Sequence, residues 1–250
     1  MPQPVAILTP EATALKGDYE TSPYYKLLNG TWNFYYVDAY KDLPANIEKP
    51  GAAINWKTIK VPGNWEMQGY GVAIYVNQPY DFQPRNLQPP YLPEANPVGV
   101  YQREFEVPTN WAGRNIYLHL EGAKSGVYVY LNGKEVGYNE DAKDPAEYLI
   151  NDYLQAGKNY LVIKCYRYST GSYLECQDFW RMSGIERDVY LFSQPKVAIQ
   201  DFKVISTLDD SYQNGLFNLA IDINNQDADH SSISLPSACQ KAISTIHTHV

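Results

Sequence analysis

Period-two alternation of apolar and polar positions recurs along this 250-residue chain. In NIYLHLEG, Ile116, Leu118 and Leu120 alternate with Tyr117, His119 and Glu121, the pattern of a strand that buries one face. In GVYVYLNG, Val127, Val129 and Leu131 do the same, and Asn132-Gly133 then predicts a type I′ hairpin turn into KEVGY. TWNFYYV (Thr31 to Val37), KTIKV up to Pro62, YQREFEV, YLVIKCYRY and RDVYLFSQ read as further strands. Asp144-Pro145 predicts an N-cap and first helical position, opening one short helical turn through AEYLINDYL that Gly157 ends. Between them lies NQPYDFQPRNLQPPYLPEANPVG, which follows neither period, and a loop of that length inside a compact domain is often functional.

These elements predict an all-β protein, with a jelly-roll β-sandwich over residues 29–194 after an extension at 1–28. Past Pro195 a second pattern begins. KVAIQDFKVISTL is one strand, and in GLFNLAIDI the residues Phe217, Leu219, Ile221 and Ile223 alternate with Asn218, Ala220 and Asp222. Two strands do not make a stable sandwich, so 195–226 reads as the start of a second, incomplete one. Residues 227–250 contain no aromatic residue and three of the chain's four histidines, and they show neither period. They read as a tail unrelated to what precedes them.

Composition narrows the function. A net charge of −8 offers no footprint for nucleic acid or an anionic membrane. No stretch approaches the roughly 20 apolar residues that span a bilayer. The amino terminus lacks a basic region followed by an apolar one, so no secretory signal is visible, and cytoplasm and periplasm stay open alike. Cys165, Cys176 and Cys239 are too few and too scattered for a disulfide framework or a zinc site. His247 and His249, two apart, could chelate a metal on a strand face, but in an unpatterned tail they read as solvated; Asp141 and Asp144 read as turn residues. Of the 35 aromatics 23 are tyrosine, a bias that fits a β-sandwich.

Several segments carry a resemblance: NGTWNFYYV, VPGNWEMQGYG, IYVNQPYDF, PEANPVGVYQREFEVP, GAKSGVYVYLNGKEVGY and, most specific, YSTGSYLECQDFWRMSGIERDVYL. From Asn29 to about Asn225 the chain resembles the amino-terminal part of family 2 glycoside hydrolases of the β-galactosidase type. The resemblance implies a galactose-binding-like jelly roll followed by the first strands of an immunoglobulin-like domain. Retaining glycosidases use two carboxylates about 5 to 5.5 Å apart, and the family carries both on a TIM barrel beyond this stretch. The chain is therefore expected to be a truncated member without catalytic residues, inactive alone.

The same resemblance implies two substrate-binding residues. Asp178 matches an aspartate that binds galactose hydroxyls and a sodium ion shared with the barrel, and Asn77 an asparagine that hydrogen-bonds substrate hydroxyls. Both side chains suit a diol: a carboxylate accepts, an amide accepts and donates. Sodium and magnesium are implied for the longer enzymes and no cofactor for this chain alone. Its partners are expected to be β-galactosides, weakly bound, with association through the exposed incomplete sandwich. A stand-alone carbohydrate-binding module and a scaffold packing on a separate catalytic chain are the alternatives. Glu175 is expected to pin the loop through Arg181 or Arg187, Trp180 and Arg181 to build it, and Trp65 and Tyr75 to pack rather than stack on sugar. The sequence departs from the family motif at Cys176, where Asp is usual, and at Glu186, where an aromatic is usual.

Overall fold

The computed structural model describes residues 17–77, 80–82, 88–175 and 177–226, together with the backbone of 243–249. It divides into two units: 26–110 with 116–192, and the segments 1–25, 111–115 and 193–250.

The larger unit is a β-sandwich. Its strands are β1 (Tyr25–Leu27), β2 (Gly30–Val37), β3 (Lys57–Val61), β4 (Gly63–Asn64), β5 (Ile74–Val76) and β6 (Val98–Glu106). They continue as β7 (Asn115–Leu120), β8 (Ala123–Lys124), β9 (Gly126–Leu131), β10 (Lys134–Asn139) and β11 (Ala146–Leu149). Then come β12 (Lys158–Tyr166), the one-turn helix α1 (Ser172–Glu175), β13 (Phe179–Arg181), β14 (Gly184–Ile185) and β15 (Val189–Gln194). A six-stranded sheet runs β10-β9-β12-β6-β2-β3, and a four-stranded sheet runs β1-β15-β7-β11. Two small sheets, β4-β14-β8 and β13-β5, complete the unit.

Register explains the core. On one face of the six-stranded sheet stand Trp32, Phe34, Ile59, Tyr101, Leu161, Ile163, Cys165, Val127, Val129 and Leu131, all buried. From the four-stranded sheet, Ile116, Leu118, Leu120, Val189 and Leu191 are buried as the alternation predicts. Trp32 satisfies its indole N–H on the Leu28 carbonyl at 2.8 Å, so the large ring is buried without an unmet donor. Asn29 ties the strand entry to the other sheet, donating to Asp188 at 2.7 Å and accepting from the Val189 amide at 3.0 Å. On the opposite face of the six-stranded sheet, Val37, Val98, Val100 and Val162 cluster with Ile47 and are flanked by Leu43, Ile54 and Trp56. The segment between β2 and β3 therefore covers that half of the outer face.

Three expectations change. His119, on the nominally polar side of β7, is buried: its ring stacks on Tyr190 at 4.3 Å and 16°, and Nδ1 lies 2.9 Å from Glu147. Tyr117 stacks likewise on Phe192, so aromatic pairs close this outer face too. The helical turn expected over AEYLINDYL is instead β11, paired with β7 from Ala146 opposite Leu120 to Leu149 opposite Tyr117, followed by a 3-10 turn at Asn151–Tyr153. Cross-strand pairing overrides a local N-cap signal there, and Gly157, at φ +76°, turns the chain into β12. The Asn132-Gly133 turn is as expected, both residues having positive φ.

In the smaller unit, Trp111 is buried and donates to the Pro23 carbonyl at 2.8 Å, and the Arg114 guanidinium stacks on Tyr24 while donating twice to Ser193. Strands β16 (Val197–Leu208) and β17 (Gly215–Asn225) form the expected ribbon, and β18 (Ile243–His249) pairs parallel with β17. A strand there departs from the lack of periodicity. The rest of the tail, 227–242 and 250, lies outside the described residues, as does Cys239. Among the described residues no helix is long and apolar enough to cross a membrane.

Gly99, on β6, faces Trp65 and Phe34: a Cβ would come within 2.5 and 2.9 Å of their rings. Gly99→Ala therefore overpacks the core and lowers the unfolding free energy by about 1–3 kcal/mol, read from urea denaturation. Acid acts elsewhere. Burial alone would raise the Glu140 carboxyl, but hydrogen bonds from Thr170, Gly171 and Tyr138 bring it below the ordinary 4.5. The Asp144 and Lys143 amides hold Asp141 below the ordinary 3.8. Carboxyls depressed in the folded state stabilise it above their unfolded values, and that contribution is lost as pH falls through the folded ones. The urea midpoint should therefore drop below about pH 4, and Thr170→Val should flatten the Glu140 share of that drop.

Candidate functional site

The loop motif around Asp178 folds back on β5. In the β5–β13 pair Phe179 lies opposite Val76, Trp180 opposite Tyr75 and Arg181 opposite Ile74. Asn77 directly follows β5 and Asp178 directly precedes β13. Residues 101 positions apart are thus brought to one open end of a two-stranded sheet, and both are exposed. Tyr75 reinforces the end: its hydroxyl lies 3.5 Å from Asp178 Oδ1, at the long limit of a hydrogen bond. Its ring meets Trp180 at 5.3 Å and 46°. Both rings are more than half exposed, Tyr75 at 57% and Trp180 at 56%. The edge thus combines a carboxylate, an amide and two accessible rings, the set that recognises a polyhydroxylated ring: polar groups for hydroxyls, aromatic faces for C–H patches.

What holds this edge is Arg167, at the end of β12 and 5% exposed. Its guanidinium donates to Glu66 Oε1 at 3.0 Å, to the Val72 carbonyl at 3.1 Å, to the Arg181 carbonyl at 3.1 Å and to the Tyr168 hydroxyl at 3.1 Å. Asp81 Oδ2 lies 3.8 Å away. One side chain thus anchors the lead-in to β5, the last residue of β13 and the 3-10 turn at Glu66–Gln68. Glu66 is itself buried and accepts from the Ser183 amide at 2.9 Å. Burial pushes its carboxyl up, opposed by that amide and by Arg167.

The loop ahead of Asp178 is pinned differently from expectation. Glu175 accepts from the Ala142 amide at 2.7 Å, so its anchor is backbone; Arg187 donates to the Lys143 carbonyl at 3.2 Å. Burial raises the Glu175 carboxyl and lowers the Lys124 ammonium, and both line a cavity of about 20 Å³ beside Arg167 and Arg181. Gly171 permits the turn into α1, since a Cβ there would sit 2.5 Å from the Glu140 carbonyl. Arg181 is buried with its guanidinium over Phe179, as a loop-building role predicts.

Trp65 is fully buried and belongs to the core, as expected, whereas Tyr75 does not pack away. Trp180 likewise presents its ring outward. Glu186, in place of an aromatic, bonds Asn64 at 3.1 Å and Lys143 at 2.9 Å, so the substitution is absorbed by polar contacts. Asp141 accepts from the amides of Lys143 and Asp144, a turn role. Cys176 lies outside the described residues, and so do the side chains of His247 and His249. Sequence reasoning missed Arg167 and Glu66. Glu66 sits inside the quoted VPGNWEMQGYG segment, but nothing local distinguishes a buried carboxylate from an exposed one.

A hard cation is commonly held by about six oxygen ligands. Asp178 supplies one carboxylate, and no group of three or more His, Cys, Asp or Glu that could hold a metal occurs among the described residues. Among the described residues, Asp178 alone does not compose a sodium or magnesium site.

Comparison with known proteins follows the same segment. The family model for glycosyl hydrolases family 2, sugar binding domain, matches residues 25–195. A β-galactosidase of Priestia megaterium is 43% identical over 226 residues, covering 88% of this chain and 22% of its own length. One from Vibrio cholerae is 42% identical over 187 residues, covering 74% and 18%. The chain spans about a fifth of the length of these relatives. Among solved structures, a Bifidobacterium dentium β-glucuronidase complexed with coumarin-3-O-glucuronide superposes with a TM-score of 0.60 at 18% identity, covering 80% of this chain and 36% of its own. At that identity the likeness shows the fold alone.

Removing Arg167 leaves Glu66 charged and buried without its cation. Arg167→Met is expected to cost about 3–5 kcal/mol in urea denaturation. Adding Glu66→Gln should recover part of that loss, giving a coupling energy well above zero in the double-mutant cycle.

Proposed function

Because the chain belongs to glycoside hydrolase family 2, we propose that it serves as the sugar-positioning part of a β-galactosidase, with Asn77 and Asp178 holding galactose hydroxyls. The observation that carries this reading is the β5–β13 register, which brings the ends of the strands next to the two residues to the same exposed end. Asp178 accepts from sugar hydroxyls through its carboxylate oxygens, and the Asn77 amide accepts from one hydroxyl while donating to its neighbour. Tyr75 steadies Asp178 through its hydroxyl. The two carboxylates that cleave a β-galactoside with retention belong, in this reading, to a barrel outside these residues. The relatives' fivefold greater length supports that division, and so does the anchoring of Glu175 to backbone rather than toward the edge. A sodium ion at Asp178 would draw its other ligands from that barrel.

Titration of the chain with methyl β-galactoside, followed by amide NMR shifts, tests the proposal. Shifts confined to residues 75–77 and 178–180, saturating only above about 10 mM, are expected, and Asp178→Asn should abolish them. Shifts elsewhere only, or persistence in Asp178→Asn, would sink it. Turnover of a chromogenic galactoside above the blank by the chain alone would overturn the placing of the catalytic pair outside it.

A further inference from the structure

The outer face of the six-stranded sheet is covered at one end by the segment between β2 and β3, and at the other it opens into a cleft of about 580 Å³. That volume lies within the range of small-molecule sites. Six tyrosines line it: Tyr40, Tyr128, Tyr130, Tyr138, Tyr166 and Tyr168. Their placement follows from strand period. Tyr128 and Tyr130 are two apart on β9, Tyr138 pairs with Tyr128 across the β10 register, and Tyr166 on β12 lies opposite Gly126. Gly126 leaves the floor bare beneath the rings: a Cβ there would come within 3.2 Å of the Tyr138 hydroxyl.

The rings are neither buried nor flat against one another. Tyr40 and Tyr138 are 55% and 45% exposed, well above core values. Tyr128 meets Tyr138 at 4.5 Å and 43°, and meets Tyr166 at 5.8 Å and 67°. Such facets do not offer the parallel slot that a planar aromatic ligand requires; each offers a separate face to a puckered ring.

The charges in the trough are acidic. Glu140 is held in place by the Thr170 hydroxyl at 2.6–2.7 Å, the Gly171 amide at 3.2 Å and the Tyr138 hydroxyl at 3.0 Å; Glu94 stands on the rim. The nearby cations are committed elsewhere: Lys164 to Glu48 at 2.7 Å while lying over the Tyr130 ring, and Arg167, behind Tyr168, to Glu66 at 3.0 Å. A free cation is also disfavoured as the occupant, because a cage for one is compact, whereas about 580 Å³ has room for several sugar rings. An acidic wall repels uronates.

We propose that this tyrosine-lined trough binds a neutral oligosaccharide, through residues that do not include Asn77 or Asp178. Sugar C–H faces lie on the tilted rings, and Glu140 and the tyrosine hydroxyls take the sugar hydroxyls. A ligand of several residues spans more rings than a single hexose, so the site favours chains over monosaccharides.

Calorimetric titration of the whole 250-residue chain with β-1,4-galactotetraose and with tetragalacturonate tests this. Saturable binding of galactotetraose and none of tetragalacturonate is expected. Tyr138→Ala, on an edge strand, and Tyr40→Ala, outside the sheets, should each weaken binding about tenfold, while circular dichroism reports that both variants fold. Amide shifts in the galactotetraose complex should fall on residues 126–140 and 166–170, which separates this site from the edge described above. No saturation with galactotetraose, equal binding of the uronate, unaltered affinity in both tyrosine variants, or amide shifts confined to residues 75–77 and 178–180 would each overturn the proposal.

Discussion

A buried guanidinium organises this protein. Arg167 is one of the few charged side chains withdrawn from water, and it succeeds because its planar fork meets four oxygens in fixed directions. Two of those oxygens are backbone carbonyls, of Val72 and Arg181, which belong to neither large sheet. Lysine would supply the charge but not the divergent donors, so the β5 lead-in and the end of β13 would lose their common anchor. Glu66 completes the arrangement by balancing the charge and receiving the Ser183 amide. A pair this deep gains little net energy over an apolar core, because desolvation offsets attraction. Its contribution is geometric: two short strands, too small to hold themselves, are fixed to a large sheet.

Much of the sandwich is legible in period-two alternation, because its strands each bury one face against a common core. Ile116, Leu118 and Leu120, and Val127, Val129 and Leu131, fall where the alternation puts them. His119 does not, since a polar position next to Tyr190 becomes a stacking position once β15 supplies the ring. The misread turn at 144–154 has a related cause: Asp144-Pro145 is a good local helix start, but Ala146–Leu149 finds a partner in β7 that no local window contains. The site itself divides in the same way. Asn77 and Asp178 were reachable through motif resemblance, whereas their adjacency depends on the pairing of two three-residue strands far apart in the chain. Arg167 was invisible for a plainer reason: in a β-rich run a charged residue reads as the solvent side.

The tyrosine bias acquires a structural meaning from the two faces of the six-stranded sheet. The core face uses mainly branched aliphatics, tryptophan and phenylalanine, with Tyr101 and Cys165 among them. The outer face uses tyrosine and valine. Where the segment between β2 and β3 covers it, Val37, Val98, Val100 and Val162 pack dry; where it does not, rings with hydroxyl tips replace them. A ring half in water with a phenol at its end tolerates exposure that leucine would not. Burial pushes the phenols of Tyr130, Tyr138, Tyr166 and Tyr168 up, to about 12 in Tyr168, so these four stay neutral donors at physiological pH.

The edge that carries Asn77 and Asp178 is built on the opposite plan from its support. Arg167 and Glu66 are buried, and each depends on the other. Asn77 and Asp178 are exposed, and the fold gains little from either. An exposed carboxylate hydrogen-bonds water as readily as sugar, so exchanging one for the other releases little free energy. Its attraction for a hydroxyl or a cation rises only when another surface closes over it, excluding water and lowering the local dielectric. The open edge therefore fits the half-site proposed above: it gathers two polar groups at one end of a small sheet, and the strength of any binding there would come from a surface that covers them.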